Sequence, residues 1–298
     1  MFQRFACLVA ATLAGTVLAQ AGPLPGKIDP ATFGAPTFDE RWQTLDASEM
    51  AKKPPSPTRW RTVLGSGGPT KLEYRSGSAG SIYVDPSFTG VKDDKVLDTP
   101  LGLNPFKLDP GKHLTILGSK IPENLQPLAH GKQFMGGVLT TRFSFSQLFG
   151  YFEIRAKLPV GKGVWPAFWL MPTKGNWPEN GELDIFEGLG VPNEIWCSLH
   201  TGEAPKQRNQ KVALPFPVGG PGADWHTYGA AWTADEIVWY VDRKEVRRIP
   251  TPSDMKSVPM YILVNLAIGG SWGGYPDAST PMPAEYLIQR VTVWRLPG

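Results

Sequence analysis

Tyr151-Phe-Glu-Ile-Arg-Ala-Lys-Leu158 alternates without a break. Tyr151, Glu153, Arg155 and Lys157 share one face of an extended chain, and Phe152, Ile154, Ala156 and Leu158 share the other. Alternation at period two marks a half-buried strand, with one face in a core and one toward water. Similar β-rich runs occur at 137–144, 164–171, 181–187, 195–201, 236–241, 260–266 and 287–294, and Gly, Pro, Asn and Asp cluster between them. No segment carries a long, capped helical period; only residues 40–50 leave room for a short helix. Short strands with turn signals and no βαβ alternation predict an all-β fold, an antiparallel β-sandwich or jelly roll.

The rest of the chain sets the boundaries. Arg4, the apolar run from Phe5 to Ala19 and the Ala19-Gln20-Ala21 site read as a secretory signal over residues 1–21. Residues 22–37 are rich in Pro, Gly and Ala and are expected to be a flexible leader, with one domain over 38–298. Residues 52–57 are Pro-rich and read as a surface loop. The apolar run is too short to span a bilayer comfortably, so the mature chain is expected to be secreted, extracellular or periplasmic, off the membrane and monomeric. Net charge is +3 with no Lys/Arg run, which argues against a nucleic-acid partner. Cys7 leaves with the signal; Cys197, in the apolar run Ile195-Trp-Cys-Ser-Leu199, is expected to be a buried thiol.

Gly181-Glu-Leu-Asp-Ile-Phe-Glu-Gly188 places three acids in six residues of an otherwise apolar strand. Strand interiors usually exclude acids, and burying one unpaired shifts its pKa or costs several kcal/mol. Glu182 and Asp184 are two apart and share a face. Glu187 is five from Glu182, so a regular strand would turn it away; a β-bulge at Ile185-Phe186 would bring it back. Three carboxyls would then line one cleft, with the Glu182 and Glu187 backbones roughly 13 Å apart. Paired carboxyls suit glycoside hydrolysis, one as nucleophile and one as acid and then base. Spacing does not say which is which. A solvent-facing polar strand, or a calcium site, would use the same residue types, although the ligand-rich loop of an EF-hand is missing.

With these residues in view, the chain resembles glycoside hydrolase family 16, whose laminarinase-like branches carry E-[IL]-D-x-x-E on a central strand. The similarity runs from about Phe38 to Trp294. It is densest in Gly150–Pro159, Gly163-Val-Trp-Pro-Ala-Phe-Trp-Leu-Met171, Trp177-Pro-Glu-Asn-Gly-Glu182, Trp225-His-Thr-Tyr228, Trp239-Tyr-Val-Asp242 and Asn265-Leu-Ala-Ile-Gly-Gly270. The resemblance implies a concanavalin-like jelly-roll β-sandwich with a concave substrate cleft. It makes Glu182 the nucleophile, Asp184 its assistant and Glu187 the acid/base. It also places Glu153, Arg155, His200 and Asn265 among the sugar-contacting positions.

The tryptophans extend that expectation. Trp165, Ala167 and Trp169 share a strand face, and the small Ala leaves room for a sugar ring between two indoles. Trp177, just before the acidic strand, and Trp272, in Gly269-Gly-Ser-Trp-Gly-Gly274, are expected at the cleft and its rim. His226 is read as structural, and His113 and His130 suggest nothing. No His/Cys spacing suggests zinc, and hydrolysis of this kind requires no cofactor. Relatives hold a structural calcium on the convex face through an Asp, where this chain has Gln289; Glu40 could still contribute.

The expected function is therefore a retaining endo-glycoside hydrolase acting by double displacement on β-linked polysaccharide. The substrate would be a β-1,3-glucan-like polymer or a related bacterial exopolysaccharide. A transglycosylase with the same site, or a lectin-like jelly roll that only binds glycan, are the alternatives. Transfer products, or activity that survives loss of the acids, would reveal them.

Overall fold

The computed structural model describes residues 23–48, 58–64, 79–217 and 224–297. The expected signal peptide and the Pro-rich loop at 52–57 lie outside the described residues. The expected all-β fold is found. Two antiparallel layers face each other, and the large sheet curls almost into a barrel.

One layer contains Phe134–Thr140, Met260–Ile268, Val164–Pro172, Glu182–Glu187, Glu194–His200 and Gln210–Ala213, each hydrogen-bonded to the next. The other runs from Lys244–Pro250 through Glu236–Val241, His226–Trp232, Gly150–Lys157 and Ala284–Trp294 to His113–Lys120. The two layers join where Ser119 and Lys120 pair with Met135 and Phe134. Alternation does what the sequence requires of it: Phe152, Ile154, Ala156 and Leu158 turn inward and meet Phe168, Leu170, Leu183 and Leu199 of the opposite layer. Burying that many large side chains is the main stabilising term of a chain whose one described cysteine is a free thiol.

Two expectations change. Residues 40–48 hold no helix. Glu40 ends the strand Phe38–Glu40, and Ala47–Ser48 forms a short parallel pair with Trp60–Arg61. The Glu40 carboxylate accepts from the backbone N–H of Trp42 at 2.9 Å and the indole of Trp60 at 3.0 Å. Trp42 sits at φ 54, which breaks any helical run.

The leader is also not loose. Ile28 is 2% exposed and packs with Tyr151, Val238, Tyr240 and Trp294 on the outer face of the second layer. Backbone bonds fix it further: Ile28 donates to Arg243, Glu245 donates to Gly26, and the Tyr240 hydroxyl donates to the Pro25 carbonyl at 2.7 Å. That outer face is apolar there, and the strap covers it.

Candidate active site

Glu182, Leu183 and Asp184 pair in register with His200, Leu199 and Ser198; then the register slips, and Glu187 lies opposite Trp196. The same slip appears against the tryptophan strand, where Asp184 faces Trp169, Phe186 faces Phe168 and Glu187 faces Ala167. One residue has been absorbed, as a β-bulge requires. Leu183, Ile185 and Phe186 are all buried in the core, while Glu182, Asp184 and Glu187 line one pocket on the outer face.

The local sequence holds this kink in place. Phe186 packs against Tyr228 of the opposite layer at 4.7 Å between centroids. The Trp239 indole crosses the core to donate to the Asp184 carbonyl at 2.9 Å. The acidic strand is entered through Gly181 at φ 82, where a Cβ would lie 2.5 Å from the Met255 sulfur. Only glycine fits there.

The pocket encloses about 130 Å³. Trp165, Ala167, Trp169 and Asn265 join the carboxyls in its lining, together with Tyr83, Ala79 and Leu64. The expected face of Trp165, Ala167 and Trp169 is thus the cleft floor. Trp177 is 60% exposed, and its indole donates to Glu182 Oε2 at 2.5 Å. The Trp165 indole donates to Glu187 Oε1 at 3.1 Å. Trp169 donates to Asn265 Oδ1 at 2.8 Å, which orients the amide so that its Nδ2 donates to the Tyr83 hydroxyl at 3.1 Å. Trp272 is 37% exposed and meets Trp165 edge-on at 5.4 Å. His200 lies against the Trp177 ring at 5.5 Å.

Burial raises the pKa of Glu182, and hydrogen bonds from Trp177 and Asp184 work against that rise. Burial raises Asp184 too, and the charges of Glu187 and Glu182 push it further. Glu187 is raised by burial and then by the charge of Glu182, with hydrogen bonds from the Trp165 indole and Ser198 opposing. The group therefore retains protons at pH values where free carboxyls have lost them. A protonated Asp184 donates to Glu182, so the Glu182 anion has two donors. Glu187 likewise has two, from Trp165 and Ser198, so donor number does not separate the two glutamates. Burial lowers the pKa of His200, whose Nε2 stands 3.6 Å from Asp184 Oδ2, beyond a good hydrogen bond. Glu182, Asp184 and His200 bring ligand atoms within 4.8 Å of one another, the sole such group among the described residues. The Trp177 donor on Glu182 competes with any cation there.

The family model described as glycosyl hydrolases family 16 matches residues 110–288. The chain belongs to that family. It is 40% identical over 210 residues to the endo-1,3-1,4-beta-glycanase ExsH of Rhizobium meliloti, covering 69% of this chain and 42% of that protein. A second protein of that organism, the endo-1,3-1,4-beta-glycanase EglC, is 36% identical over 267 residues, 87% of this chain and 51% of its own length. The chain thus spans about half the length of these relatives. The laminarinase of Rhodothermus marinus shares the fold at a TM-score of 0.65 and 25% identity, over 88% of this chain and 98% of that one.

Against the family frame, one sequence expectation does not fit. Glu153 and Arg155 do not reach the cleft. They lie on the outer face of the opposite layer, where Arg243 binds Glu153 at 3.0 and 3.1 Å and Arg155 donates to Gln289 at 2.5 Å. Alternation puts them on a polar face, and that face belongs to the convex sheet. Glu40 is engaged by N–H donors, and Gln289 is held by a guanidinium.

The site also contains residues the sequence reading passed over. Tyr83 comes from a two-residue strand paired in parallel with Met135 and Gly136, and no local pattern announces it. Trp196 and Ser198 face the cleft beside Glu187 and Asp184, and alternation along 195–201 could have found both. Cys197 is buried and its thiol is pushed up to about 12 by burial, so it is inert at this site.

Proposed function

We propose that the protein is a retaining endo-glycoside hydrolase of β-linked polysaccharide. Glu182 attacks the anomeric carbon and forms a glycosyl ester while Glu187 gives its proton to the departing oxygen. Glu187, now anionic, takes a proton from water, and that water displaces Glu182 and frees the sugar. Asp184 holds a proton against Glu182 in the resting state and stabilises the carboxylate when it leaves. The observation that carries this reading is the bulge that turns Glu187 to the face of Glu182.

A β-1,3-glucan or a related bacterial exopolysaccharide is the substrate class. The glycanase activities of the relatives and the pocket between indoles support that choice. No cofactor enters this chemistry. The mature chain acts as a secreted monomer, and among the described residues no helix is long and apolar enough to cross a membrane.

The test is product release from laminarin, lichenan, agarose, carrageenan and succinoglycan, with products sized. Short oligosaccharides from at least one polymer are expected, and Glu182→Gln should reduce turnover by about 10³ or more with an unchanged melting curve. A Glu182→Gln variant that keeps its turnover would overturn the mechanism.

A further inference from the structure

The face opposite the cleft carries a second polar depression of about 270 Å³, and Glu153 and Arg155 help to form it. Three guanidiniums stand around it, each fixed along one edge. Arg243 is bidentate on Glu153, Arg290 binds Asp39 at 2.7 and 2.9 Å, and Arg155 is held by the neutral amide of Gln289. Fixing one edge of a planar fork leaves its remaining N–H donors aimed and already ordered. Among the described residues Arg155 makes no direct ion pair, although the Asp242 carboxylate lines the same depression and Asp224 lies close enough to feel the Arg155 charge.

The floor supplies the second observation. Thr227 and Thr292 are 7% and 2% exposed, and both line the depression. They lie on the same face as Arg155 and Glu153, their strand partners. Among the described residues neither hydroxyl has a hydrogen-bond partner. These hydroxyls are not sealed in the core but open into the depression, so beneath ordered guanidiniums they add polar groups that a ligand can reach. Beyond Arg155 the same face continues to Lys157, whose ammonium lies 5.5 Å from the centre of the Trp225 ring.

We propose that this groove is a second glycan-binding site, which takes a carboxylate-bearing stretch of polysaccharide. The sugar carboxylate lies on the Arg155 fork, and ring hydroxyls bond Thr227 and Thr292. The site holds polymer to the enzyme while the cleft on the other face cuts. Its ligand class rests on the polysaccharide reading, but its existence does not depend on the catalytic assignment.

The experiment uses the full chain carrying Glu182→Gln, in gels containing either carboxymethylated β-glucan or neutral laminarin. Arg155→Gln, and separately the conservative pair Thr227→Val with Thr292→Val, are added to that background. Retardation by the carboxymethylated polymer should weaken about tenfold in each, the size of one lost charge-assisted bond or two neutral ones. Retardation by neutral laminarin should change little. In the active background, hydrolysis of short laminari-oligosaccharides should stay unchanged, because these residues do not reach the cleft. Unaltered retardation in both variants would overturn the site, and equal losses on both polymers would overturn its preference for carboxylate. A reading in which Glu182 is not the nucleophile would show instead as residual hydrolysis in the gels, which separates the two failures.

Discussion

Trp165→Phe removes one of the hydrogen bonds that tune the acid. The indole N–H lies 3.1 Å from Glu187 Oε1 and stabilises the carboxylate form. A hydrogen bond to a charged group contributes about 1.5–3 kcal/mol, and one pKa unit corresponds to about 1.4 kcal/mol. The indole is half-buried, so the lower part of that range applies, and about one unit is expected. The sign follows from the chemistry. Glu187 must be protonated to donate to the leaving oxygen, so the rate falls as pH rises through its pKa. Loss of the donor raises that pKa, and the alkaline limb of kcat/KM moves about one unit to higher pH. Phenylalanine keeps an aromatic face, and any loss of stacking changes the height of the profile rather than the position of its limb. Trp169→Phe is the control, because its indole donates to Asn265 and not to a carboxyl, and its limb should stay in place. The assay is initial rates on a soluble β-glucan across the pH range. A limb that stays fixed, or moves to lower pH, in Trp165→Phe would show that Glu187 is not the titrating acid.

Asp184→Asn should lower kcat by about tenfold or more, because the carboxyl beside Glu182 is lost. The same change should raise the melting temperature more at pH 8 than at pH 4. Folding raises the pKa of Asp184, so the native state holds the extra proton and loses that stabilisation as pH climbs through the raised value. Phe186→Ala empties the core side of the bulge and should cost about 3–5 kcal/mol in denaturant unfolding, with activity falling because Glu187 loses its fixed direction. Ile28→Ala, in the docked strap, should cost about 2–4 kcal/mol by the same measurement while leaving turnover on short oligosaccharides intact; no loss of stability would mean the strap contributes little.

The acidic strand was legible because its acids break a local rule. Three carboxyls in an apolar run demand an explanation, and their odd spacing demands a bulge. Trp165 and Trp169 were legible through alternation alone. Glu153 and Arg155 show the limit of that signal. Period two says which residues share a face, but a concave and a convex polar face look alike in one dimension. The strap escaped detection for another reason. Proline-rich chain has no period, and backbone bonds together with the apolar anchors Leu24, Ile28 and Phe33 decide its place. Tyr83 enters through a two-residue strand far away in the chain, and such contacts are set by topology rather than by neighbours in sequence.

The bulge has a consequence for how the proposed activity would be lost. Ile185 and Phe186 anchor the hydrophobic interior and, through the same few peptide units, aim the acids, so catalysis cannot outlive the interior that supports it. A partly melted form, with secondary structure but loosened side chains, should already be inert. On heating, the loss of turnover and the collapse of the aromatic circular-dichroism bands should coincide, with no warm, floppy and still working species between them.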